Sequence, residues 1–221
     1  MSFQLEFTDG NKLEIGTIYG IGSNYSKHAT EMGGTVPTDP VIFLKPRAAY
    51  ISNGGTVLLP NISQEIHHEA ELVVVISKTC VNISKEEAHN YIAGYAAGID
   101  FTLRDLQAKA KKAGHPWAVA KGFYTSAPIS KVIPANSIQD INPFFYFELT
   151  VNGVVKQSGT TKDMERPVGL LIEYLSHIFT LHAGDCIFTG TCEGVGPVKS
   201  GDKVRCELKN YTSIEVDVRD K

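Results

Sequence analysis

Residues 67–76 read HHEAELVVVI, a polar opening that runs into an unbroken aliphatic stretch. The aliphatic half is short, rich in β-branched residues and apolar at consecutive positions, which predicts a strand buried on both faces. Period-two geometry puts His67, Glu69 and Glu71 on one side, with His68 and Ala70 on the other. Two glutamates on one face repel each other, and burying either charge alone is costly. A hard divalent cation between them removes both costs. The competing reading is a solvated strand end, the commoner fate of a lone Glu-x-Glu.

A third carboxylate shifts that balance. GYAAGIDFT, 94–102, predicts a second apolar strand with Asp100 near its end. Two glutamates and an aspartate supply three oxygen ligands and leave octahedral positions for water and a chelating substrate. That set suits Mg²⁺ or Mn²⁺, and His67 and His68 keep zinc as a lesser alternative. Arg104 and Gln107 share a face of the helix expected after Asp100 and would project beside the metal. Lys121, four residues after Trp117, could stabilise an oxyanion or deliver a proton. Taken singly, each of these three reads more readily as a surface group. In SNYSKHATEM, 23–32, His28 and Glu31 are neighbours on a helical turn, a spacing that serves a general base or a surface pair. Gly33-Gly34 would let this segment move as a lid.

The rest of the pattern is many short strands and few helices, an α+β domain. Further strands are expected at 17–23, 40–45, 144–151 and 186–190, with KVRCEL and TSIEVDV as a closing pair. Asn152-Gly153 predicts a two-residue hairpin turn. Ser84-x-x-Glu87 reads as a capping box opening a short helix, 104–112 as a helix stopped by Gly114, and 167–179 as a helix with Pro167 in its first turn. At 221 residues and a net charge of −3, the chain has no basic stripe to recruit nucleic acid or an anionic membrane. Four cysteines without a Cys-x-x-Cys pair, and an acidic N-terminal stretch with no apolar run, predict free thiols in the cytoplasm.

YGIGSNYSKHATEM, PVIFLKP, HHEAELVVVI, GIDFTLRDLQAKAKKAGHPW and TGTCEGVGPVKSGD, in that order, resemble the fumarylacetoacetate hydrolase family from about Thr17 to the C-terminus. The short members it looks most like are acylpyruvate hydrolases, oxaloacetate decarboxylases and oxaloacetate keto–enol tautomerases. The resemblance implies a mixed β-sheet roll with a few short helices, residues 1–16 being an N-terminal strand segment and 17–221 a single catalytic domain. It further implies a homodimer that takes a small 2-oxo acid and holds Mg²⁺ or Mn²⁺ on Glu69, Glu71 and Asp100. His28 and Glu31 would activate water, Lys121 would meet the reacting carbonyl, and Arg104, Gln107 and the Thr191 loop would hold the substrate carboxylate, with Lys45 reaching the pocket. Two positions depart from the family's usual pattern: Tyr124 stands where an aspartate is common, and Cys192 where a proline is. The alternatives are a hydratase or isomerase of longer unsaturated 2-oxo dioic acids, and a homologue that binds metal and ligand without turnover.

Overall fold

A computed structural model describes residues 3–221. The Ala70–Ile76 strand lies inside a six-stranded mixed sheet and is buried along its whole length. Across the sheet the order is Ile133–Pro134, Ile92–Ile99, Ala70–Ile76, Cys186–Thr191, Ile18–Gly22 and Val41–Lys45. Only the Cys186–Thr191 and Ile18–Gly22 pair runs parallel. Leu72, Val74 and Ile76 pack into the larger core, and Val73 and Val75 into a second core on the opposite face. The unbroken aliphatic run follows from that two-sided burial. Gly98 keeps the neighbouring strand thin: a Cβ there would lie 2.4 Å from Val73 Cγ2 and 2.7 Å from Phe188 Cε1.

A five-stranded sheet faces the larger core, in the order Val154–Thr160, Tyr146–Val151, Lys203–Leu208, Thr212–Asp220 and Thr56–Leu59. Its inward residues include Phe147, Leu149, Val204, Leu208, Ile214 and Val216. Asn152 (φ 52°) and Gly153 (φ 78°) form the expected hairpin turn, with Val151 opposite Val154. The fold is the mixed α+β roll anticipated, its helices short: Ser26–Glu31, Arg104–Ala113, Ala118–Lys121 and Val168–Ile178. None of the described helices is long and apolar enough to cross a membrane.

Three local expectations need correcting. Ser84 Oγ does donate to Glu87 Oε2 (2.9 Å), yet the chain then makes only the 3₁₀ turn Ala88–Tyr91. Pro167 is the N-cap of its helix and precedes the first turn. The third correction positions the site. HHEAELVVVI and GYAAGIDFT each split between two sheets, because Ile66–His68 and Thr102–Leu103 pair with each other in a separate three-stranded sheet. Glu69 and Asp100 occupy the two crossings, joined by the Asp100 N–H donating to the Glu69 carbonyl at 2.8 Å. The Ala70 N–H turns to Gln157 Oε1 (2.9 Å) and the Phe101 N–H to the Ser126 carbonyl (3.0 Å), so these two donors stay paired where the strands part.

Candidate metal centre and active site

The two strand crossings and the start of the Ala70–Ile76 strand bring Glu69, Glu71 and Asp100 together, and all three are buried. One carboxylate oxygen from each lies within 4.8 Å of the others. Asp100 Oδ1 has a lysine ammonium, Lys45 Nζ, at 2.7 Å but no partner in hydrogen-bond geometry. Glu69 is heavily compensated: Lys121 Nζ donates to its Oε2 at 2.6 Å and Arg104 Nη2 to its Oε1. Burial alone would raise the Glu69 pKa, but Lys121 and Arg104 outweigh it and hold the carboxyl below the usual carboxylate range. Glu71 has no ion-pair partner among the described residues and accepts one hydrogen bond, from the Gly190 N–H at 2.7 Å. Burial, then repulsion from Asp100 and Glu69, pushes its pKa well above the ordinary value. An under-compensated carboxylate inside an all-oxygen cluster fits a divalent cation, and that donor set fits Mg²⁺ or Mn²⁺. Neither histidine of the opening motif joins the cluster. His68 bonds Gln157 at 3.0 Å, and His67 faces Glu65 at 2.9 Å, so the zinc alternative finds no ligand there.

Gly190, the donor to Glu71, is held to glycine by its own backbone: it sits at φ 100°, and a Cβ on it would lie 2.8 Å from Asn24 Cβ. Lys121 ends the Ala118–Lys121 helix and directs its three donors to Glu69, Asp100 Oδ2 (2.7 Å) and Thr102 Oγ1 (2.7 Å). Burial disfavours its charge, but Asp100 and Glu69 outweigh that and raise its pKa, so it stays an ammonium. Tyr124, in place of the usual aspartate, does not dislodge this lysine, because Thr102 and the two carboxylates hold it.

The pocket over the cluster is lined by Glu69, Glu71, Lys121, Arg104, Gln107, Thr191 and His28, with Ser23, Phe43, Lys111 and Trp117 closing its sides. Arg104 Nη1 donates to Gln107 Oε1 at 2.7 Å, which fixes the pair on one helix face. His28 Nδ1 lies 3.1 Å from Glu31 Oε2, on the Ser26–Glu31 helix where the spacing put them. A carboxylate only accepts, so this bond puts the proton on Nδ1 and leaves Nε2 the basic nitrogen. Glu31 Oε1 also accepts from the Gly194 N–H (3.0 Å), tying the helix to the loop after Thr191.

Asp100 and Glu31 join the site through the carboxylate cluster and His28 without lining the pocket, and Lys45 does not line it either. Its side chain has no exposed surface and its ammonium serves Asp100, the Lys121 carbonyl, and the carbonyl and hydroxyl of Ser126. Fully buried and committed to these partners, it braces Asp100 and does not meet a ligand. Cys192 is likewise 2 % exposed, and burial followed by Glu193 pushes its thiol up to about 12, so no reactive thiol faces the pocket. Sequence reasoning missed Thr102, Gln157 and Lys111. Gln157 accepts from the Ala70 N–H and His68 and donates to Thr191 Oγ1 (2.8 Å) and the Cys192 carbonyl (3.0 Å), the anchoring a proline ring would otherwise give this loop. Only its inward position on an otherwise exposed edge strand marks it, and that needs the register to be known.

Comparison with known proteins places this site in context. The family described as fumarylacetoacetate (FAA) hydrolase C-terminal matches residues 17–219. "Oxaloacetate tautomerase FAHD1, mitochondrial" of Arabidopsis thaliana is 45% identical, over 97% of this chain and 94% of its own. "Oxaloacetate decarboxylase, mitochondrial" of Dictyostelium discoideum is 42% identical, over 91% of each. The crystal structure of fumarylpyruvate hydrolase from Pseudomonas aeruginosa, in complex with Mn²⁺ and pyruvate, superimposes with a TM-score of 0.92 at 32% identity, covering 99% of this chain and 96% of the other. The mitochondrial relatives overturn the expectation of a cytoplasmic protein. That expectation leaned on free thiols, and buried thiols are equally at home in any reducing compartment.

Proposed function

The chain belongs to the fumarylacetoacetate hydrolase family, and from that premise we propose a Mg²⁺- or Mn²⁺-dependent enzyme of short 2-oxo acids whose substrate is oxaloacetate and whose principal reaction is keto–enol tautomerisation. The observation that carries this reading is the buried Glu69, Glu71 and Asp100 cluster at the floor of a pocket walled by cations. Bound there, the divalent ion supplies Lewis-acid chemistry, polarising the 2-oxo acid and drawing off negative charge as an enolate develops. The Mn²⁺ and pyruvate held by the Pseudomonas hydrolase support that pairing of ion and 2-oxo acid.

The chain's own side chains do the rest. Arg104, oriented by Gln107, holds the carboxylate next to the 2-oxo group, with Thr191 across the pocket. Lys121, kept charged by its two carboxylates, steadies the negative oxygen and has no free lone pair with which to act as a base. The base is therefore His28, through Nε2, with Glu31 fixing its tautomer and stabilising the imidazolium. It takes a proton from C3 and returns it to the C2 oxygen, which converts ketone to enol without net gain or loss. A closely related enolate, that of pyruvate, forms when oxaloacetate loses CO₂, or when water activated by His28 adds to the distal carbonyl of an acylpyruvate and the bond from C3 to that carbon breaks, releasing the acyl group as a carboxylic acid. The homodimer that the resemblance implies is part of the same proposal.

Following the near-ultraviolet absorbance of enol-oxaloacetate tests the proposal. With Mg²⁺ the protein should accelerate approach to the keto form, and EDTA should abolish the acceleration. Full activity after chelation, or none with metal, would sink it.

A further inference from the structure

We infer that Lys111 is a specificity-determining residue, the group that recognises a second carboxylate on the far end of the substrate. The inference rests on the proposed function and deepens it, by naming the group that reads the second carboxylate of oxaloacetate.

Arg104, Gln107 and Lys111 stand at i, i+3 and i+7 of the Arg104–Ala113 helix, so they share one face, and all three line the pocket. Lys111 lies about two turns, roughly 10 Å, further along the axis than Arg104. Long side chains on a helix lean back toward its N-terminus, so Lys111 reaches over the pocket from its outer end. Its ammonium is 5.1 Å from the centre of the Trp117 ring, a lining residue that holds the stem in place.

The hydrogen-bond donors separate it from the other cations. Lys121 has committed its three protons to Glu69, Asp100 and Thr102. Arg104 is tied to Glu69 and Gln107 at the metal end. Lys111 has no carboxylate partner among the described residues, although Asp105 on the same helix is occupied by Ser63 and Gln64. Desolvation, then the nearby Arg104 charge, lowers its pKa, with Glu69 opposing and Lys121 adding to the shift. A monocarboxylate anchored at the metal end leaves this charge unmatched. A dicarboxylate brings the counter-charge to it.

Malate and 2-hydroxybutyrate test this directly, because both keep four carbons and the 2-oxygen but only malate carries the second carboxylate. Neither can enolise as a ketone. Calorimetry on the Mg²⁺-loaded protein should show malate preferred, and Lys111→Gln should weaken malate about fivefold, the upper range of a single partly exposed ion pair. Binding of 2-hydroxybutyrate should fall by much less, so the preference collapses, and Lys111→Arg should restore it. In parallel, Lys111→Gln should raise KM for oxaloacetate more than it lowers kcat. Lys112→Gln, on an exposed position of the same helix, serves as the control with wild-type behaviour. An undiminished malate preference in Lys111→Gln, or equal losses for both ligands, overturns the inference. If the preference depends on Lys111 yet the wild type turns over no 2-oxo acid, the inference stands and the proposed reaction fails.

Discussion

Lys45 and Glu71 are buried to the same degree, each 1 % exposed, and they meet opposite fates. Burial lowers the Lys45 pKa, with Asp100 opposing that effect at 2.7 Å. Among the described residues Glu71 has only a backbone amide as a fixed partner, and this under-compensated carboxylate is what fits the cluster to a divalent cation. Removing one member of a buried charge pair costs about 3–5 kcal/mol when the other is left uncompensated, and less here because Lys121 still holds Asp100 Oδ2 at 2.7 Å. Lys45→Met should therefore lower the unfolding free energy by about 2 kcal/mol in urea titrations. A change under about 1 kcal/mol would mean that Asp100 does not depend on it. In the sequence, FLKP gives no hint of this role, since an alternating strand end presents lysine to solvent as readily as to a core. Glu69, Glu71 and Asp100 were legible because each stands at the end of an apolar run, where an acid needs a reason.

Elements carry the site's precision through Gln157. This one side chain on the Val154–Thr160 strand fills its four hydrogen-bonding positions, joining the start of the Ala70–Ile76 strand to the Thr191–Cys192 loop. Gln157→Leu, close in size, would strand the Ala70 N–H and the Cys192 carbonyl in the interior, at about 1–3 kcal/mol for each group left unpaired. The expected outcome is a fall of about 2 kcal/mol or more in stability and slower enol conversion at saturating substrate; wild-type values for both would show the network to be dispensable. Strand existence was readable from aliphatic runs, the Asn152-Gly153 turn and the closing pair. The crossings at Glu69 and Asp100 were not, because period-two alternation records which face a residue takes and not which sheet its strand joins. The capping pair at Ser84 was real, but tertiary packing shortened its helix to a 3₁₀ turn.

Across the whole molecule, the site collects residues from the Ser26–Glu31 helix, both strand crossings, the Arg104–Ala113 and Ala118–Lys121 helices and the Cys186–Thr191 strand. The six-stranded sheet holds them in register because it is packed on both faces. The family and its chemistry were legible in the order of the motifs. Cellular location was not, since thiol burial and net charge are the same physical facts in either reducing compartment. The proposed chemistry depends throughout on a divalent ion at Glu69, Glu71 and Asp100. Titrating chelator-stripped protein with Mn²⁺ in a calorimeter should give one site per chain in the wild type, and binding weakened at least about tenfold in Glu71→Gln, since oxygen-ligand affinity follows the count of charged ligands. Wild-type affinity in Glu71→Gln, or no Mn²⁺ bound by the wild type, would contradict it.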